Sequence, residues 1–164
     1  MFSCNEKTNN KSITVKDLTE LNKAIENAVP GNEIVLANGV WKNVEINFYG
    51  IGTEEQLITL RAETPGKVIV EGTSYLHLGG KYLTVDGLYF RNGHSPKSAV
   101  IQYRIGKDST ANHCRVTNTV IDGFTKPSRL TNDRWIVFYG KHNQLDHCYI
   151  TGKSNDGETV RVYF

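Results

Sequence analysis

The sequence is short of alanine and nearly devoid of methionine, with 6 Ala and 1 Met in 164 residues. It therefore lacks the side chains with which helical bundles are usually built. No stretch approaches the ~20 apolar residues of a membrane-spanning helix; the longest aromatic-aliphatic run is Trp135 to Tyr139. The 3 cysteines include no Cys-x-x-Cys pair, which argues against a zinc ribbon or a disulfide framework. Neither sign of charge dominates. The 19 Lys and Arg against 17 Asp and Glu leave +2, excluding a strongly basic nucleic-acid binder and an acidic tail. No Asn-Gly or Asp-Gly stands as a two-residue hairpin between alternating runs, which disfavours a β-sandwich.

What the chain has is β-branched residues and corners. Its 14 Val, 12 Ile and 15 Thr make up a quarter of the sequence, and 15 Gly and 15 Asn supply turns. This predicts an all-β fold. Charge is distributed unevenly: residues 1–80 carry 7 basic and 10 acidic side chains, whereas 81–164 carry 12 and 7. The second half is the better candidate for meeting a polyanion.

One segment has helical spacing. Leu18, Leu21, Ile25 and Ala28 share a face, Asp17 and Glu20 form a capping box, and Pro30-Gly31 ends the pattern. The remainder is a repeat. Leu83 to Phe90, Cys114 to Ile121 and Asn143 to Ile150 align without gaps, and Ile58-Thr-Leu60 and Ile34-Val-Leu36 extend the column at spacings of 25 and 24. A second column reads Val44-Glu-Ile46, Val68-Ile-Val70, Val100-Ile101, Ile136-Val137 and Val160-Arg-Val162. Short strands recurring every 24 to 36 residues predict a parallel β-helix over 13–164, its open N-terminal end covered by a helix at about 17–28. Stacking is expected for Leu83, Cys114 and Asn143, for Val85, Val116 and Leu145, and for Phe90, Ile121 and Ile150. The fifth repeat position, Gly87, Asn118 or His147, reads as a left-handed corner. Gly50-Ile-Gly52 reads as a turn.

The cluster of His142, Asp146, His147 and Cys148 has metal-ligand chemistry. The repeat puts His147 at a corner and Cys148 at an inward position, which favours structural roles. Cys114 falls in a different column from Cys148, so no disulfide is expected. Tyr139, Lys141, His142 and Lys153 flank one coil, and Arg161 follows. Together they form either a binding groove for an anionic polymer or a solvated corner.

Residues 1–12 read as a polar linker, and Phe2-Ser3-Cys4 resembles the end of a bacterial lipoprotein signal. That resemblance implies a lipidated Cys4 and a place in the bacterial envelope, as a periplasmic or outer-membrane lipoprotein, with secretion as the runner-up. Membrane contact would run only through that anchor.

Residues 30–41, 58–68, 82–90, 112–118 and 139–149 resemble polysaccharide lyase family 6, the alginate lyases and chondroitinase B. The resemblance covers residues 13–164 and implies a right-handed parallel β-helix. It implies β-elimination on a uronic acid within alginate or dermatan/chondroitin sulfate, with no nucleic-acid partner. It also implies a calcium ion held by an Asn and a Glu-x-Glu pair, a Lys base and an Arg acid. No Glu-x-Glu occurs here, so no catalytic or calcium-binding residue is carried over. The expectation is that these elements lie beyond Phe164 and that residues 13–164 form the N-terminal part of a lyase, inactive on its own. A noncatalytic carbohydrate-binding or structural β-helix, or a β-helix C5-epimerase, are the alternatives.

Overall fold

The computed structural model describes residues 11–163. It opens with β1 (Ser12–Val15) and α1 (Leu18–Glu26). The chain then runs through successive coils, each giving one strand to each of three sheets. The first coil holds β2 (Glu33–Leu36), β3 (Gly39–Lys42) and β4 (Glu45–Ile51). The second holds β5 (Ile58–Ala62), β6 (Val68–Thr73) and β7 (Tyr75–Lys81). The third holds β8 (Leu83–Asp86), β9 (Leu88–His94) and β10 (Ala99–Gln102), followed by the short β11 (Ala111–Asn112). Next come β12 (Arg115–Thr117), β13 (Val120–Asp122) and β14 (Arg134–Phe138). The last are β15 (Gln144–Asp146), β16 (Tyr149–Thr151) and β17 (Val160–Val162).

The sheets run β1-β2-β5-β8-β12-β15, β3-β6-β9-β13-β16 and β4-β7-β10-β14-β17, with β11 also on β7. All these pairings are parallel, the antiparallel exception being an isolated bridge between Arg104 and Thr110. This is the pairing of a parallel β-helix, in which alternate side chains point into a shared core.

Register brings like residues together. Val85, Val116 and Leu145 lie opposite one another, as do Phe90, Ile121 and Ile150. Each fully buried aliphatic side chain in these columns contributes roughly 1.5–3 kcal/mol. Gly87, Asn118 and His147 all have positive φ, at 83°, 48° and 51°, which makes the fifth repeat position a left-handed corner.

At the other end of the stack, Asp17 Oδ1 accepts the Glu20 N–H at 2.8 Å, and the Glu20 carboxylate accepts the Lys16 N–H at 2.8 Å. The helix is shorter than 17–28, because Asp17 is its cap and Asn27 closes it. Leu21 and Ile25 are buried in the common core, and α1 packs on β1, β2 and β4.

Four expectations are corrected. Val68-Ile-Val70 belongs to the second sheet, with Val70 between Trp41 and Phe90; the strand that completes the third sheet is β7, with Leu76 between Ile46 and Ile101. Only Ser74 separates β6 from β7, so the two strands follow one another without a loop to mark the corner. Ile34 pairs with Leu60 rather than Ile58, a two-residue slip that leaves the same face inward. The strand β1 begins at Ser12, inside the proposed linker, and Gly50-Ile51 finishes β4 instead of turning. Cys4 lies outside the described residues.

Candidate functional site

The outward side chains at the end of the third sheet form three adjoining rows. The first is a stack. Tyr139 follows β14 and lies against Tyr163, with ring centroids 4.7 Å apart and planes 6° from parallel. The Arg104 guanidinium carbon is 3.8 Å from the Tyr139 centroid. Because β10, β14 and β17 are neighbours in that order, Arg104 and Tyr163 flank Tyr139 from either side. Arg161, outward on β17 opposite Val137, sits 5.1 Å from the Tyr163 centroid.

The second row is Lys81, Asn112 and Lys141. Asn112 Oδ1 accepts the Lys141 N–H at 3.0 Å, and the His113 N–H donates to the Lys141 carbonyl at 2.9 Å. Both lysine side chains are exposed.

The third row is a ladder of rings. Tyr82 stacks on His113 at 4.8 Å, and His113 on His142 at 4.6 Å. All three have left-handed backbones, with φ of 54°, 53° and 57°. That conformation costs a bulky residue roughly 1 kcal/mol, and stacking offsets part of it.

Asn143 fastens the corner. Its Nδ2 donates to the carbonyls of Ala111 (2.8 Å) and Tyr139 (2.7 Å), and its Oδ1 accepts the Cys114 N–H at 2.9 Å. Gly140 is required between them: its φ is 76°, and a Cβ there would collide with the Ala111 carbonyl. A cavity of about 300 Å³ opens beside these residues, lined by Phe138, Tyr139, Gly140, His142, Asn143 and Val162. A larger one, about 580 Å³, lies far off between α1 and β1.

Of the residues expected at the site, Tyr139, Lys141, His142 and Arg161 therefore share this corner, while Lys153 does not. Lys153 Nζ donates to Asn155 O (2.9 Å), Asn155 Oδ1 (3.0 Å) and Asp156 O (3.0 Å), and lies 3.3 Å from Asp133 Oδ1. Asp133 is fully buried, and a buried carboxylate needs a partner, so the ammonium is turned inward. The residues not anticipated are Arg104, Tyr163, Lys81, Tyr82 and His113. Tyr82, His113 and His142 each precede an aligned strand, so the repeat itself carried that signal.

The metal-like cluster resolves into separate roles. Asp146 accepts from Arg115 with both carboxylate oxygens, and this holds its carboxyl down to about 2. Burial pushes the Cys148 and Cys114 thiols up, and both are free. Among the described residues no group of three or more His, Cys, Asp or Glu is placed to hold a metal ion.

These features define a three-sheet parallel β-helix with a cationic, ring-lined corner. The chain belongs to the Chondroitinase B family, whose model matches residues 15–164. No curated protein sequence matches it. Among solved structures it is similar to the polysaccharide lyase family 6 alginate lyase AlyGC, with 44% identity and a TM-score of 0.91 over 92% of this chain and 21% of that one. It is also similar to a mannuronic acid specific family 6 lyase from human gut microbiota, at 31% identity and TM-score 0.87, covering 93% of this chain and 36% of that one. The family 6 lyase Pedsa3628 from Pseudopedobacter saltans matches at 38% identity and TM-score 0.81, over 87% and 32% of the two chains. The chain thus spans between 21% and 36% of these neighbours' length.

Proposed function

We propose that this chain supplies the N-terminal coils of a lyase that cleaves a uronate-containing polysaccharide, alginate ahead of dermatan or chondroitin sulfate, by β-elimination. The β-helix is right-handed in this reading, and α1 shields its N-terminal end from edge pairing. The observation that carries the proposal is the convergence of Arg104, Tyr139, Tyr163, Lys141 and Arg161 on one corner. Sugar rings offer apolar C–H faces to aromatic side chains, and uronates offer one carboxylate per unit to cations.

Elimination needs the uronate carboxylate neutralised, a base for the C5 proton and an acid for the departing O4. In this reading residues 11–163 bind and orient the polymer, and no catalytic step is assigned to them. Calcium belongs to the resemblance and not to these residues. Lipidation at Cys4 and a bacterial envelope location complete the proposal. Among the described residues no helix is long and apolar enough to cross a membrane.

The second reading is a noncatalytic polyuronate-binding module. Titration of the chain with alginate hexasaccharide, alongside absorbance of unsaturated uronate after incubation with alginate and calcium, tests both. Salt-sensitive binding without product is expected. Product formation abolished by Lys141→Ala would place a catalytic group in these coils, and an absence of binding would overturn the assignment of the corner.

A further inference from the structure

Arg161 is already engaged by a carboxylate. Its Nη1 lies 3.2 Å from Glu158 Oε1, and Glu158 Oε2 accepts the Arg134 Nε–H at 3.1 Å. One carboxylate therefore bridges two guanidiniums at the edge of the Arg104–Tyr139–Tyr163 stack. Arg161 points outward from β17, so the pair lies on the outer face of the sheet and not in the core, and an ion pair so placed is weak. Its own backbone N–H, with Arg161 and Arg134, holds the Glu158 carboxyl below its ordinary value, so it stays charged.

Exchanging one carboxylate for another at a guanidinium conserves the charge pairing. The exchange is unfavourable for an isolated carboxylate, which must displace a tethered one. It becomes favourable for a polymer whose neighbouring units are held elsewhere on the corner, since the arriving group is then present at high effective concentration. We propose that Glu158 is an internal stand-in for the uronate carboxylate, occupying Arg161 in the free protein and giving way to the substrate, so that the corner admits polyuronates and rejects single carboxylates. This rests on the reading of the corner as a polyuronate site.

The test is a double-mutant cycle on the 164-residue chain, using Glu158→Gln, Arg161→Met and the double variant titrated with alginate hexasaccharide. Asp108→Asn serves as a charge control, because Asp108 is an exposed carboxylate outside the stack. Glu158→Gln is expected to bind about three- to fivefold tighter, the loss of one weak competing pair. The gain should exceed that of Asp108→Asn and should vanish in the Arg161→Met background. Thermal melts of each variant confirm folding, and Arg161→Gln replaces Arg161→Met if the latter does not fold.

Unchanged or weaker binding by Glu158→Gln, while the wild type binds, overturns the inference alone and makes Glu158 an orienting group for Arg161. An equal gain in the Arg161→Met background reduces it to a general charge effect and also overturns it. No binding by any variant overturns the reading of the corner, and the inference with it.

Discussion

Tyr163 lies flat on Tyr139 while Arg104 covers the other flank of the same ring, so residues 24 and 59 positions apart meet as one layered unit. The tyrosines come together because parallel register places the residue after Phe138 beside the residue after Val162. A stack of this kind is worth about 0.5–1.5 kcal/mol. Tyr139→Ala removes the middle layer and should weaken hexauronate binding roughly 2- to 10-fold, as measured by titration calorimetry, while loss of the stack within the chain lowers the thermal melt by a few degrees.

Asn143→Ala should be costly for its size. It strands the carbonyls of Ala111 and Tyr139 and the N–H of Cys114, and loss of such a bridge destabilises by about 2–3 kcal/mol. Urea unfolding followed by far-UV circular dichroism would register this as a lower midpoint at unchanged slope.

Lys153→Met should destabilise by about 3–5 kcal/mol, because Asp133 is then buried without its counter-charge. The double variant Lys153→Met/Asp133→Leu should recover much of that loss. A Lys153→Met variant as stable as the wild type, but defective in hexauronate binding, would return Lys153 to the binding surface.

His77 gives the fold a pH dependence of known sign. Burial, with Lys97 nearby, lowers its pKa from 6.5 to about 4. Below pH 6.5 the unfolded chain takes up a proton that the native protein refuses. Stability contributed by neutral His77 is therefore fully present above pH 6.5 and falls as pH drops toward 4. The loss amounts to about 1.5 kcal/mol between pH 6.5 and 5. His77→Gln should flatten this part of the stability–pH curve, measured by denaturant unfolding at each pH.

Much of the coil stack could be read from residues alone, because Val85, Val116 and Leu145 repeat at a period that parallel stacking requires. The third sheet was harder. Its member Leu76-His77-Leu78 follows Val68-Ile-Val70 so closely that periodicity cannot say which triple stacks on Ile46. At the corner, Tyr139, Lys141 and His142 were legible as neighbours in sequence. Arg104 was not, since its place over Tyr139 depends on the register of β10 against β14. Lys153 resembled any other loop lysine because its direction is set by Asp133, twenty positions earlier and buried only once the coils have closed.

The ladder of Tyr82, His113 and His142 has a consequence for how such a protein can change length. Each rung comes from one coil and sits at the same backbone angle, so the corner is modular. Excising residues 83–113 would join Tyr82 directly to Cys114, keep every remaining strand in phase, and seat Tyr82 on His142. Gain or loss of a whole period thus lengthens or shortens the corner by one rung, whereas an insertion of any other size must be absorbed in a loop.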